Sequence, residues 1–334
     1  MPSIPAHQLV KAIQDAAQES GGTAFLLSAP TRHPRKFVVQ TAAGASFELW
    51  VYGWTLTHGG GWARPKDEYR IQMTSVTPPL AINTAGPTIL IGYEPNLSCF
   101  AGFDIRKHMN FTAGSPSIQI NINTLHRALQ DGLSFATKGN DEIAIGFRPD
   151  QFISYIKHAT NLHIHGASAK ITEMLTKAAS LQPIPSEKIK ALPKERQRIV
   201  GTVSRLSRDA NFRQKIITAY DRRCAVTRMQ LRLIDAAHIL PVEVPGSNDD
   251  ITNGVCLSPT YHRAYDRGLI YLDDSLIMRI NPDHEAELAK LHLAGGIATF
   301  KAHLNKRIHL PPDRHQWPDV GMVKKANKVR GIPN

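Results

Sequence analysis

From Gln182 to Arg196 the chain runs Gln-Pro-Ile-Pro-Ser-Glu-Lys-Ile-Lys-Ala-Leu-Pro-Lys-Glu-Arg. Its three prolines bar a continuous helix, because each lacks the backbone N–H and its ring clashes with the preceding turn. So few apolar side chains cannot hold a buried strand, and the stretch predicts a break between two folded regions. A chain of 334 residues has room for both, since a single core rarely grows beyond about 250 residues. The expected organisation is a first domain over 1–165, a helix and Pro/charge-rich linker over 166–200, a second domain over 201–320 and a basic tail over 321–334.

With 42% apolar residues both regions can build cores, and with 20% charged residues wholesale disorder is excluded. No apolar run approaches the roughly 18 residues of a membrane span, and Met1 to Val10 lacks the secretory pattern, so a cytoplasmic protein with no membrane partner is expected. Cys99, Cys224 and Cys256 can form neither a disulfide framework nor a four-cysteine zinc site, which fits a reducing compartment. The formal charge is +12 and lies unevenly: residues 1–165 hold 13 Lys+Arg against 11 Asp+Glu, and residues 166–334 hold 27 against 17. Such a positive half attracts a polyanion, of which nucleic acid is the commonest in a cytoplasm.

Apolar, β-branched or aromatic runs bounded by turn formers predict strands at Thr23–Ser28, Lys36–Thr41, Ser46–Trp54, Tyr69–Val76, Thr88–Tyr93, Cys99–Ile105, Ser117–Ile122 and Glu142–Phe147. Helical periodicity appears at Ala6–Glu19, Thr124–Gln130, Pro149–Thr160, Ser168–Ser180 and Asp209–Tyr220. The expected class is α+β, with a mixed sheet and flanking helices in the first domain. There Tyr52, Trp54, Trp62 and Tyr69, with Arg64, Arg70 and the Gly59–Gly61 loop, form a candidate aromatic platform for a base, although strand aromatics are more often core. Asp104 and Lys107 beside Glu94 have the wrong spacing for a metal-binding site of the acidic-acidic-lysine kind, and His163-Ile-His165 lacks a third ligand and is read as solvated.

The chemistry concentrates between Arg223 and Ile270. Leu231–Ile239 reads as an apolar strand carrying His238, followed by a proline and a Gly-Ser-Asn-Asp-Asp loop. Ser258 is a good N-cap, Pro259 suits the first helical position and Gly268 can end the helix in the left-handed region. His262 and Asp266, four apart on that helix, share one face and can reach a single metal ion.

The order Cys-Ala-Val-Thr at 224–227, Asp-Ala-Ala-His-Ile at 235–239, Asn253-Gly254 and His262-x-x-x-Asp266-x-Gly268 resembles the HNH endonucleases, the ββα-metal nucleases, over about Asp209 to Trp317. The resemblance implies a C-terminal ββα-metal nuclease domain. It makes His238 the general base that takes a proton from the attacking water, Asn253 the residue that fixes the loop, and His262 a ligand of the divalent cation, with Asp266 as a second ligand. One divalent ion per site is implied, Mg2+ first, with Mn2+, Ni2+ or Zn2+ as alternatives. Many members carry a metal-binding residue just before the first histidine, where this chain has Ala237. Asp235 is two residues earlier, so strand alternation puts it on the side of position 237 and makes it a candidate substitute ligand. Cys224-x-x-Thr227 and Cys256-x-x-Pro259 have each lost the second cysteine of the pairs that hold zinc in other members, so no structural zinc is expected. Arg263, Arg267 and Arg223 are candidate DNA contacts.

The expectation is a metal-dependent DNA endonuclease of a restriction system that acts on double-stranded DNA as a homodimer, its first domain reading sequence or, in a modification-dependent enzyme, base modification. The alternative is a DNA-binding or defence-associated sensor whose HNH fold is catalytically silent, which Ala237 keeps open.

Overall fold

A computed structural model describes residues 3–41, 44–59, 65–112, 114, 116–139 and 141–332. The chain divides into two compact units, Met1–Ala210 and Asn211–Asn334. The first contains α1 (Ala6–Glu19), β1 (Thr23–Leu26), β2 (Arg35–Gln40), β3 (Ser46–Thr55), β4 (Thr57–His58), β5 (Glu68–Gln72), β6 (Thr88–Glu94), β7 (Cys99–Phe103), α2 (Ile105–His108), β8 (Ser117–Asn121), α3 (Ile122–Asp131), β9 (Leu133–Thr137), β10 (Ile143–Phe147), α4 (Phe152–His165), α5 (Ala169–Ala179), α6 (Ser186–Lys190) and most of α7 (Lys194–Ala219).

Seven strands form one sheet in the order β1-β2-β3-β6-β7-β10-β9, antiparallel except for the parallel pair β3 and β6. Alternate residues serve two cores. Ile89, Ile91, Phe100 and Ile145 enter the core shared with α1, α4 and α5, whereas Leu90, Ala101 and Ala144 enter the one beneath α3 and the small sheet β4-β5-β8. Burial on both faces explains why these strands read as unbroken apolar runs.

The segment 166–200, expected as a helix and linker, is drawn into the first core. Its prolines do interrupt the helix, yet Ile171, Leu175, Leu192 and Ile199 are buried there, so the break joins packed helices and the unit boundary falls later, inside α7. The charge reading changes with it. Residues 1–210 hold 22 Lys+Arg against 15 Asp+Glu and residues 211–334 hold 18 against 13, so neither unit is near neutral. His163 is not solvated: it lies on α4, 4% exposed, with Nε2 at 3.1 Å from the Tyr155 hydroxyl. Glu94 holds the turn at Leu97 through its backbone N–H at 2.7 Å, and Asp104 caps α2 and pairs with Arg106 at 2.7 Å, which are structural tasks.

The second unit contains β11 (Asp235–His238), β12 (Gly254–Leu257), α8 (Pro259–Asp266), β13 (Ile270–Leu272), β14 (Ile277–Ile280), α9 (Pro282–Lys290), α10 (Ile297–Lys301), β15 (Lys306–Arg307) and α11 (Val320–Val329). The antiparallel hairpin β11-β12 leads straight into α8, and β13-β14-β15 form a separate sheet. Strand β11 is shorter than Leu231–Ile239. Leu231 and Arg232 have positive φ, which takes the chain out of the extended region, and Leu231 and Leu233 are exposed. The segment 321–334, expected as a basic tail, is mostly α11, docked by buried Val323 and Ala326 and by the Asn327 amide donating to the Leu272 carbonyl at 2.9 Å. Lysines dominate the sequence there, but apolar residues three apart on one face decide the outcome. No helix among the described residues is long and apolar enough to cross a membrane.

Candidate active site

Local sequence places the site. In β11 the register Ala237 to Val255 and His238 to Gly254 buries Ala237 completely and leaves His238 half-buried at the strand end. Helix α8 begins at Pro259 after Ser258 in extended conformation and ends as Leu269 N–H bonds back to the Ala264 carbonyl at 3.0 Å, with Gly268 at φ 71°. This presents His262 and Asp266 to a cleft of about 440 Å3 that is also lined by Ala236, His238, Glu243 and Arg330.

His238 is held on two sides. Its ring stacks on Phe212, with centroids 3.7 Å apart and planes 8° from parallel, and Nε2 lies 3.1 Å from Asp249 Oδ1. Residue 254 must be glycine for the strand to pass this close to α7. A methyl group there would overlap Ile216 and approach Phe212 Cζ to 2.9 Å.

Asn253 is fully buried and touches no part of the cleft; it organises the loop between the two strands. Its Oδ1 accepts from Leu240 N–H at 2.9 Å, and its Nδ2 lies 2.8 Å from the Asn248 carbonyl and 3.2 Å from both the Leu240 carbonyl and Ser247 Oγ. An asparagine buried with every polar atom engaged fixes a loop far better than apolar packing, because each bond has a direction.

His262 lies between two carboxylates. Nδ1 is 3.4 Å from Asp235 Oδ2, and Nε2 is 3.4 Å from Asp266 Oδ2. Burial disfavours the charged ring, but the hydrogen bond to Asp235 and the charges of Asp266 and Asp235 outweigh it and raise the pKa. For Asp235, burial raises the pKa, and the bonds and charges of His262 and Arg213 reverse this and hold it below the usual carboxylate value. Arg213 reaches Asp235 Oδ1 at 3.4 Å and the Ile234 carbonyl at 3.2 Å.

The fold thus gathers His238, His262 and Asp266 in one cleft, Asp235 behind His262 and Asn253 beneath the loop. Arg263 on α8 and Arg267 just after it are exposed, while Arg223 is half-buried and bonded to Asp221 at 3.2 Å. Among the described residues no group of three or more His, Cys, Asp or Glu is arranged to hold a metal ion. Cys224 and Cys256 are free thiols in the core, and burial pushes Cys256 up to about 12.

Three residues escaped sequence reasoning. Asp249 is one of two adjacent aspartates in a loop with no periodicity to distinguish them. Phe212 had been legible only as a packing residue of its helix. Arg330, 68 residues after His262, lines the cleft with Nη1 at 3.0 Å from the Ile239 carbonyl and its guanidinium 4.3 Å from the Tyr265 ring centroid. The sequence offers it only as one of the basic tail residues Lys324, Lys325, Lys328 and Arg330, with non-specific affinity for DNA, and not as part of a cleft.

Residues 224–273 match the family described as HNH endonuclease, and residues 47–156 match the family described as Methylase-associated X1. A solved structure titled "Modification dependent TagI restriction endonuclease" aligns with 89% of this chain and 85% of that chain, at 13% identity and a TM-score of 0.28. No curated protein matches. The HNH segment contains the hairpin, the loop asparagine and the helix with its histidine and aspartate, so residues 224–273 form an HNH endonuclease domain, and the match supports a nuclease.

Proposed function

We propose that the protein is a metal-dependent DNA endonuclease of a restriction system, with the first unit selecting the DNA, by sequence or modified base, and the second cutting it. The observation that carries the reading is the placing of His238 in one cleft with His262 and Asp266. The match to a family named for its association with methylases supports a modification-dependent role for the first unit.

In this reading Nε2–H of His238 donates to Asp249, which leaves Nδ1 with its lone pair to take a proton from water. Stacking on Phe212 fixes the ring plane, so the base is oriented before substrate arrives. Nitrogen and oxygen donors suit a divalent cation, and 3.4 Å between His262 Nε2 and Asp266 Oδ2 is a separation that two donors each about 2.1 Å from one ion can span. When bound, such an ion supplies Lewis acidity at the scissile phosphate. Asp235, expected as a third ligand, faces the opposite ring nitrogen; from Nδ1 it orients His262 and strengthens its donor. Arg330 offers a cation to the phosphate. Pairing of two chains would let one site act on each strand.

The test is incubation with unmodified, methylated and hydroxymethylated DNA in Mg2+, Mn2+ or Ni2+, beside His238→Ala. Cleavage that chelator stops and the substitution removes is expected, and failure on every substrate in every metal refutes it. A silent sensor is the second reading, favoured by buried Ala237 in place of a ligand. Calorimetric titration with Mn2+ separates the two, since a silent site takes up no ion.

A further inference from the structure

The first unit has a cavity of about 480 Å3, within the roughly 300–1,000 Å3 of small-molecule sites, where the parallel pair β3 and β6 ends near the start of α1. Its wall includes Arg35, 4% exposed. Arg35 gives Nε to the Pro30 carbonyl at 2.5 Å and Nη1 to the Gly53 carbonyl at 3.0 Å and the His33 ring at 3.2 Å. No carboxylate among the described residues pairs with it. A buried cation without a counter-charge is costly, so a cavity that keeps one is built to receive an electron-rich group.

The rest of the wall narrows the class. Trp54 is half-buried with the His33 ring parallel to it, centroids 4.3 Å apart, and its indole N–H donates to the Thr74 carbonyl at 3.3 Å, which fixes its plane. Burial and the nearby Arg35 hold His33 down to about 3, so it is neutral at ordinary pH and adds no second charge. Thr31, Thr57, Gln72 and Ser75 add neutral donors and acceptors. One fixed aromatic plane, one cation and a neutral polar rim suit a planar heterocycle with an exocyclic acceptor.

On the reading that the substrate is DNA, we propose that this cavity holds a single nucleobase drawn out of the duplex, stacked on Trp54 with an acceptor atom on Arg35. Extrusion costs the base its pairing and stacking in the duplex, and stacking with edge hydrogen bonds in the cavity returns them. Of the aromatic residues that the sequence suggested as a platform, only Trp54 takes this part. Tyr52 is core and bonds the Ala81 carbonyl, Tyr69 lies edge-on to His58, and Trp62 and Arg64 lie outside the described residues.

The test uses the full-length His238→Ala protein and a short duplex with 5-iodouracil in a central mismatch, the form that is cheapest to unpair. Irradiation is expected to cross-link the base to Trp54 or its neighbours in β3 and β4. Trp54→Leu should weaken binding on the order of ten- to a hundredfold, the worth of one base stack, and Gln72→Ala, on the exposed rim, by a few-fold. Cross-links confined to 211–334, or unchanged affinity in folded Gln72→Ala and Trp54→Leu proteins, overturn the proposal. If Trp54→Leu fails to fold, Gln72→Ala and the cross-link map decide. Thymidine monophosphate that competes as well as the duplex would also overturn it, by showing a site for free nucleotides. None of these readouts needs cleavage, so a failed nuclease assay refutes the nuclease reading separately.

Discussion

The two cavities treat charge in opposite ways. In the second unit His262 stands between two carboxylates and His238 against a third, whereas in the first Arg35 is buried with no carboxylate beside it among the described residues. A catalytic histidine needs its tautomer and plane fixed before substrate binds, so its partners belong to the protein. A recognition site gains affinity and discrimination when its polar group is satisfied only by the ligand. On the proposed roles, the contrast teaches that charges paired within the protein belong to the cutting site and a cation without a counter-charge belongs to the reading site.

The largest effect that can break this contrast is at His238. Its replacement by alanine should lower cleavage by roughly 10²–10⁴-fold, the usual worth of a positioned acid–base group, with DNA affinity and its salt dependence retained. Wild-type turnover would end the assignment. Asn253→Ala should leave the Leu240 N–H unpartnered, cost about 1–3 kcal/mol of stability and slow cleavage as the loop loosens, which denaturant melts and rate measurements read together. His262→Ala should cost metal affinity and activity together, with partial rescue by excess metal, as calorimetry beside cleavage would reveal. Arg330→Met should weaken DNA binding several-fold and lower the slope of log affinity against log salt by about one, if it meets a phosphate.

The smallest effect sharpens the contrast through pH. His33 titrates at about 3 in the folded chain and near 6.5 when unfolded, so the unfolded chain binds the extra proton as pH falls. Its contribution to stability is complete above about pH 6.5 and declines toward pH 3. Buried His163 acts in the same direction. His262 has the opposite sign: its pKa is raised on folding, so its contribution is complete below about pH 6.5 and is lost as pH rises through the folded value. Denaturant melts followed by tryptophan fluorescence in a Trp317→Phe background, where the remaining indoles all belong to residues 1–210, should show the first unit weakening between pH 6.5 and 4, and His33→Phe should flatten that slope. A slope unchanged by the substitution would show that His33 does not carry it.

The first unit's strands were legible because burial on both faces leaves nearly continuous apolar runs. Strand β9 and the pair Thr57–His58 were missed because they are short and carry little pattern. In the second unit the motif intervals and the Pro259 and Gly268 signals located α8, since capping chemistry is local. The length of β11 was misjudged because Leu231 and Leu233 are apolar yet exposed.

By itself, then, the sequence determined the α+β class, through periodicity and capping along the chain, and through its resemblance to HNH endonucleases it marked out the HNH domain and offered His238, Asn253, His262 and Asp266 as candidates. Only the tertiary structure decided that Asp249 steadies His238, that Asp235 and Asp266 take opposite nitrogens of one ring, that Arg330 enters the cleft and that Arg35 bonds to carbonyls and a histidine rather than to a described carboxylate. Each is a meeting of residues distant in sequence or a choice between equivalent neighbours. Hydrogen bonds and charges act over a few ångströms of space, whatever the separation along the chain.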